Sequence, residues 1–204
     1  MRALATIAFV ALVWPATARA ELVGKGIRAG AVTFSLKDAN ATTNSTNSDV
    51  GIMGGAYLVF ALGSIVYLQP ELALSEKRDF IEHCSPCMTL ENYELWYLEL
   101  PILVRLDVVS SPAFKLHVDA GPELVLSMGG RQIDQPLGIG RHMANVVPGN
   151  IGIVGGAGVA FAAGSGAVTL DLRYQRSAAD IIDNGGASIR STNQVGMTVG
   201  YVFP

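Results

Sequence analysis

Residues 168–175, VTLDLRYQ, decide the fold class of this chain. Apolar residues occupy every second position of this stretch, and polar residues occupy the positions between them. A period of two is that of a β-strand, because successive side chains of a strand point to opposite faces. Residues 194–203, QVGMTVGYVF, repeat the pattern, with Val195, Met197 and Val199 on the apolar face. The end of the chain is therefore predicted to form two strands, each with one apolar and one polar face.

Six further segments complete the predicted set of about eight strands. Segments 50–62 and 150–162 are nearly continuous runs of small or apolar residues, which suits strands with glycine or alanine on the inward face. Segment 23–35 has no clear alternation, so the face that it turns inward stays open. The remaining three segments alternate clearly, and they are 66–74, 96–105 and 114–121.

One region permits a helical alternative. No charged residue lies between Arg141 and Asp171, so a glycine-rich membrane helix could begin near Ile151. The sequence Gly-Ser-Gly at 164–166 is a turn signal in the middle of that segment. Glycine also recurs too often there for a stable helix. Two strands joined by a turn are the favoured interpretation.

The composition indicates a membrane protein. Half of the 204 residues are hydrophobic and only 15% are charged, whereas soluble domains carry about 25% charged residues. This balance excludes a disordered chain and a disulfide-rich miniprotein. The 17 acidic residues outnumber the 14 basic ones, so the chain has no basic surface for nucleic acid.

The N-terminus has the pattern of a secretory signal peptide. Arg2 precedes an apolar segment, 4–14, and Ala18-Arg19-Ala20 forms a small-x-small cleavage site. The apolar segment is shorter than the roughly 20 residues of a bilayer helix, although an uncleaved anchor is the alternative. We therefore predict a signal peptide at 1–20 and one exported domain at 21–204.

The connections between the predicted strands alternate between long and short. Outer-membrane barrels have short periplasmic turns and long outer loops. The pattern therefore predicts an all-β fold, an antiparallel up-and-down transmembrane β-barrel of about eight strands with both ends in the periplasm. The long connections lie near 36–49, 77–92, 129–149 and 177–190, and the short ones near 62–64, 109–112 and 164–166.

The aromatic residues support this topology. Membrane-spanning barrels carry girdles of aromatic side chains at both interfaces. In the predicted topology four phenylalanines fall at the periplasmic ends of strands, and a tryptophan and a tyrosine fall toward the opposite ends. The periplasmic girdle is Phe60, Phe114, Phe161 and Phe203, and the outer one is Trp96 and Tyr174.

The polar faces are predicted to point into the barrel. A lipocalin-like barrel would require a charged exterior that faces water. The polar faces of this chain carry too few charges for that. Turned inward, charges of both signs can pair across an interior that, at eight strands, only has room for side chains. We expect a plugged lumen, with bulges or strand ends at Pro70, Pro101 and Pro122. The predicted lumen network is Glu71, Glu99, Arg105, Lys115, His117, Asp119, Glu123, Asp171 and Arg173.

Two cysteines lie close together in the sequence His83-Cys84-Ser85-Pro86-Cys87. An exported chain enters an oxidising compartment, so a loop disulfide between Cys84 and Cys87 is the favoured interpretation. Free thiols, a metal site with His83 and a redox pair are the alternatives. Structural zinc requires four ligands and only three are local.

No catalytic, cofactor or metal site is predicted. His117 lies beside Asp119, with Ser127 farther along the same strand. His117 is predicted at the periplasmic end of that strand, away from the outer leaflet on which a lipid-modifying enzyme would act. His142 is expected in a solvated loop. The glycines at 155–158 are followed by neither a dinucleotide fingerprint nor a P-loop lysine.

Several short motifs resemble those of the PorT-like "porin family" of outer-membrane β-barrels. They are LQPEL at 68–72, YLELPILVR at 97–105, GPE at 121–123 and GIRAG at 26–30. The resemblance implies an eight-stranded outer-membrane barrel in which the strand prolines are family features and Glu71, Glu99 and Arg105 point inward. Such barrels commonly end on an aromatic residue recognised during assembly, whereas here Phe203 precedes Pro204.

Together these observations predict a small barrel in the outer membrane of a Gram-negative-type bacterium, with no enzymatic activity. Its expected role is structural, adhesive or secretion-accessory, exercised through long outer loops on a rigid scaffold. A narrow solute-selective pore or a lipocalin-like binding barrel is the alternative, and a lipid-modifying barrel enzyme is the third. The expected partners are outer-membrane lipid, the barrel-assembly machinery and an extracellular or secretion-system protein bound by the loops, but no nucleic acid.

Overall fold

The computed structural model of the protein describes most of the predicted exported domain. The described residues are 20–38, 46–85, 87–135, 139–142, 148–177, 180–183 and 188–204. The predicted signal peptide lies outside them except for Ala20. None of these residues belongs to a helix with the length and apolar character needed to cross a membrane.

Ten strands make up the described chain. They are β1 (Glu21–Asp38), β2 (Thr46–Ala61), β3 (Val66–Ser85), β4 (Cys87–Ser110), β5 (Phe114–Gln135), β6 (Ile139–His142), β7 (Gly149–Ala163), β8 (Gly166–Ser177), β9 (Asp180–Asp183) and β10 (Ser188–Phe203).

Eight of these strands close into an antiparallel barrel. Each pairs with the next in the order β1, β2, β3, β4, β5, β7, β8 and β10, and β10 pairs back with β1. The two short strands lie outside this ring. Strand β6 pairs with β5, and strand β9 pairs with β10. The prediction of an up-and-down barrel of about eight strands is confirmed.

Burial alternates along the strands and shows which face points inward. In β8, Thr169, Asp171 and Arg173 are buried, while Leu172 between them is 56% exposed. A membrane barrel turns its apolar side chains outward and its polar side chains inward. The same alternation fixes the face of β1 that its sequence left open, since Arg28 points inward.

The three predicted short turns are confirmed. They lie at 62–65, 111–113 and 164–165. In the second turn, the Ser111 amide donates a hydrogen bond to the Phe114 carbonyl at 2.9 Å. In the third, Gly164 has a φ of +60°, a left-handed conformation that costs glycine little.

The predicted long connections are shorter than expected. The segment 77–92 is almost entirely strand, because β3 pairs with β4 as far as Ser85 and Cys87. The β1–β2, β5–β7 and β8–β10 connections also lose residues to strands at one or both ends. Backbone pairing continues past the point where apolar and polar side chains stop alternating, so the sequence pattern marks the end of the apolar band rather than the end of the strand.

The expectation of bulges or strand ends at the three prolines is wrong. Pro70, Pro101 and Pro122 lie inside β3, β4 and β5, and the register is unchanged across each of them. Each of the β2–β3, β3–β4 and β4–β5 ladders instead lacks two residue pairs next to Pro70, Pro101 or Pro122. Proline has no amide hydrogen to donate, and the neighbouring pairs hold the strands in place. The bulges of the β4–β5 pair lie elsewhere, at 96–97 and 107–109.

Candidate functional site

The lumen of the barrel is polar and charged. Eight of the nine residues predicted to form the lumen network are buried in the structure. Lys115 differs, because it lies at the rim beside the short turns and its side chain is 46% exposed. The buried eight are Glu71, Glu99, Arg105, His117, Asp119, Glu123, Asp171 and Arg173.

Glu71 is the centre of the network. Arg173 binds both of its carboxylate oxygens, at 2.7 and 2.8 Å. Arg28 donates to Oε1 at 3.0 Å and Gln69 donates to the same oxygen at 2.6 Å. A paired arginine fork of this kind fixes geometry as well as charge, so strands β1, β3 and β8 are joined through one carboxylate.

A second ion pair lies in the lumen farther from the short turns. The Lys77 ammonium lies 2.7 Å from Glu99 Oε1, and Ser75 donates to the same oxygen at 2.8 Å. The ammonium also lies 4.8 Å from the centre of the Tyr97 ring, within cation–π range. Arg28 makes a similar cation–π contact, because its guanidinium lies 4.2 Å from the centre of the Tyr57 ring.

The end of the lumen beside the short turns holds a third group of charges. Arg105 donates to Asp107 Oδ1 at 3.0 Å, and the Lys115 ammonium lies 3.6 Å from Asp107 Oδ2. Higher in the barrel, Gln175 donates a hydrogen bond to Glu123. Buried charges are costly unless they are paired, and Arg105 and Lys115 provide that pairing for Asp107.

His117, Asp119 and Asp171 meet between these groups. His117 Nε2 lies 2.8 Å from Asp171 Oδ1, although β7 separates the strands that carry them. Gly158 of β7 pairs with both residues, and its lack of a side chain lets them touch. One potential ligand atom from each of the three residues lies within 4.8 Å of the others.

The middle of the lumen retains little free space between the residues that the structure describes. An internal cavity of about 20 Å³ lies against Glu71, Glu99, Glu123 and Arg173. A buried water requires roughly 10–15 Å³, so this cavity holds about one water molecule. The described side chains therefore fill the middle of the barrel.

The six aromatic residues predicted to form girdles lie on the outer surface. Phe114 and Phe161 face each other across β5 and β7, and Phe203 packs edge-on against Tyr201 at 4.8 Å. Phe60 is partly exposed near the same end. Trp96 and Tyr174 are exposed farther along their strands, and the Tyr174 hydroxyl donates to Asn193 at 2.6 Å.

The sequence interpretation missed several lumen residues. Arg28 was missed because the small residues around it hide the alternation of β1. Lys77 and Asp107 continue the inward positions of β3 and β4, and parity alone could have found them. Tyr57 and Tyr97 also point inward, whereas the predicted lumen network contained only charged residues and His117. The meeting of His117 with Asp171 depends on register between strands, although Gly158 was a usable signal.

The arrangement of His117 with Ser127 that the disfavoured lipid-modifying enzyme would use has no geometric support. Ten residues separate them along β5, roughly 33 Å of strand. The side chains of Cys84, Cys87, His83 and His142 lie outside the described part of the structure. The backbone places Ser85 opposite Cys87 at the tip of the β3–β4 hairpin, and the disulfide stays a prediction.

Comparison with known proteins finds similarity in structure only. No family model and no curated protein matches the chain. Among solved structures it is similar to Neisserial surface protein A, with 11% identity over 88% of this chain and 96% of that chain and a TM-score of 0.53. It is also similar to the outer membrane protein OprG from Pseudomonas aeruginosa, with 12% identity over 90% and 98% and a TM-score of 0.51. These likenesses establish the barrel fold.

Proposed function

We propose that this chain is a small outer-membrane β-barrel whose filled lumen passes no solute and whose rigid wall presents its outer connections to partners. Its role is then structural, adhesive or secretion-accessory. The proposal includes export by segment 1–20, insertion by the barrel-assembly machinery, and residence in the outer membrane of a Gram-negative-type bacterium. Membership of the PorT-like family remains part of the proposal, supported by the four motifs described above.

The distribution of apolar side chains on the barrel carries the membrane assignment. Every strand of the ring exposes large apolar residues on its outer face, and Ile153 is 70% exposed. A continuous apolar exterior of this size marks an interaction surface. Strand β8 has 12 residues, close to the roughly 9–11 that a tilted membrane strand needs. Representative outward side chains are Ile27, Ile52, Leu74, Ile102, Leu124, Ile153, Leu172 and Val199.

This arrangement argues against the lipocalin-like carrier. Such a barrel needs an apolar interior around its ligand and a charged exterior toward water. Here the buried face carries Glu71, Arg173 and Glu99, while Leu72 and Leu172 are exposed. The polarity is the reverse of the one that a soluble carrier requires.

The packing of the lumen argues against a pore. The four hydrogen bonds at Glu71 tie together side chains from three strands. The free volume beside them is about 20 Å³, which is about one water molecule. A permeating solute would have to displace buried ion pairs, at a cost of several kcal/mol for each ion.

Cell fractionation and gel migration test the membrane assignment. The protein should sediment with the outer membrane, and unheated samples should migrate differently from boiled samples, because a closed barrel resists detergent unfolding. Recovery as a soluble periplasmic monomer would contradict the assignment.

Planar-bilayer recording tests the filled lumen. Folded protein should give a flat current trace across the voltage range. The double variant Glu71→Ala/Arg173→Ala, which removes the central pair, should introduce discrete conductance steps and so prove that insertion is detectable. Steps of the same size from the unchanged protein would establish the narrow pore instead.

A further inference from the structure

We propose that His117, Asp119 and Asp171 form a binding site for one divalent transition-metal ion of the zinc type inside the lumen. The three residues supply one imidazole nitrogen and two carboxylate groups. Mixed nitrogen and oxygen ligands suit zinc and its first-row neighbours, whereas calcium and magnesium prefer oxygen alone. Three protein ligands leave a position for water, as in open zinc sites.

The geometry is close to that of a coordination sphere. One potential ligand atom from each residue lies within 4.8 Å of the other two. Ligand atoms around a tetrahedral zinc ion, at roughly 2.0–2.1 Å from the metal, lie about 3.3 Å from each other. His117 Nε2 and Asp171 Oδ1 are 2.8 Å apart. Small rotations of the side chains would admit the ion.

Unpartnered atoms provide a second and independent observation. Asp119 Oδ1 and Asp171 Oδ2 are both buried and have no hydrogen-bond partner among the described residues. The three residues are themselves at least nine-tenths buried. Buried polar atoms without partners are costly, and an ion held between these two carboxylates would satisfy both of them.

The local charge favours a cation. Asp119 has Arg173 at 3.8 Å, but the short contacts of that arginine go to Glu71 at 2.7 and 2.8 Å. Asp171 contacts only the imidazole of His117 among the ion pairs of the described residues. Arg28 and Arg173 also act on both aspartates, but they share Glu71 as well. The three carboxylates outnumber the two guanidinium groups, and a bound cation would offset the remaining negative charge.

The glycines of β7 keep this site open. A Cβ at Gly158 would overlap Asp171 Oδ1 and lie 2.6 Å from His117 Nε2. A Cβ at Gly156 would lie 3.1 Å from Asp119 Oδ1. The site is also within reach of solution, because His117 is two residues along the inner face from the rim residue Lys115, about 7 Å of strand.

Metal binding by the full exported chain, refolded in detergent, tests the proposal. Titration with Zn²⁺ should show one ion per barrel, and Co²⁺ should give the visible absorption of a low-symmetry nitrogen and oxygen site. His117→Gln and Asp119→Asn should each weaken Zn²⁺ binding by at least tenfold. Gly158→Ala, which retains every ligand, should also weaken it. The matched control Glu123→Gln removes another lumen carboxylate and should leave the affinity unchanged.

The comparison uses a background in which Cys84 and Cys87 are replaced by serine, and folding of each variant is checked by heat-modifiable migration. Absence of Zn²⁺ binding by the folded background protein would overturn the proposal. The proposal would also be overturned if the folded Asp119→Asn and Asp171→Asn variants bound Zn²⁺ as tightly as the background protein does. The ion would then be held by other residues, such as His83 or His142.

Discussion

Two parts of the barrel wall contribute to the lumen in opposite ways. Strands β3 to β5, which we call the charged wall, point long ionic side chains inward, among them Glu71, Glu99 and Arg105. Strand β7, which we call the glycine strand, points only small residues inward, namely Gly152, Val154, Gly156, Gly158 and Ala160. An eight-stranded barrel has a narrow interior. The long charged side chains of β3 to β5 fit into this interior only because the inward residues of β7 are small.

Breaking the charged wall at its centre should have the largest effect. Glu71→Leu leaves Arg28 and Arg173 buried without their shared carboxylate. Removing one partner of a buried ion pair costs about 3–5 kcal/mol, so the free energy of unfolding should fall by about that amount. Urea titration of the protein in lipid vesicles measures it.

The control for that variant lies at the rim. Lys115→Ala removes a charge that is 46% exposed and 3.6 Å from Asp107, which keeps its bond from Arg105. Exposed pairs contribute about 0–1 kcal/mol. If Glu71→Leu and Lys115→Ala lowered the free energy of unfolding equally, the buried ion pairs of Glu71 would contribute no more to stability than an exposed pair.

Filling the glycine strand should have an intermediate effect. Gly158→Ala places a methyl group against Asp171 Oδ1 and His117 Nε2, and overpacking of this kind costs about 1–3 kcal/mol. Gly155 is the matched control, because the nearest atoms to its Cβ would be 3.7 and 4.0 Å away. Gly155→Ala should be neutral, or stabilising by up to about 1 kcal/mol. A larger loss at Gly155 than at Gly158 would contradict the proposed division of the wall.

The smallest effect is expected at Tyr97, a residue of the charged wall. The Tyr97 hydroxyl is buried and has no hydrogen-bond partner in the described part of the chain. Tyr97→Phe keeps the ring beneath the Lys77 ammonium and should raise the free energy of unfolding by up to about 1 kcal/mol. Tyr97→Leu removes the cation–π contact and should lower it, so changes of the same sign would argue against this account.

Much of the fold could be predicted because it depends on local patterns. The alternation in β8 and β10 and the turn at 164–166 each lie within a few consecutive residues. The ends of β3 and β4 that lie away from the short turns could not be predicted, since apolar and polar residues no longer alternate regularly between 77 and 92. Nor could the behaviour of Pro70 and Pro101, because neighbouring backbone pairs in the closed sheet hold the register across them.

The candidate site was predictable residue by residue but not as a set of contacts. Parity assigned His117, Asp119 and Asp171 to the inward face. Their meeting depends on the registers of β5 with β7 and of β7 with β8, which place His117, Gly158 and Asp171 in one row. Register over two seams follows from the whole closed sheet, and no local segment of sequence specifies it.

The seam between β1 and β10 has a consequence for how the barrel folds. Each of the other seven seams joins strands that follow one another around the ring in chain order, whereas this one brings Lys25 beside Phe203. Contacts between distant parts of a chain form slowly, because loop-closure entropy opposes them until they are made. Until the last strand is in place, both margins of the growing sheet present unpaired amides and carbonyls, which lipid cannot satisfy. Closure of this seam is therefore the step at which the chain gains most from assistance, and premature release before it would leave two reactive edges free to join other chains.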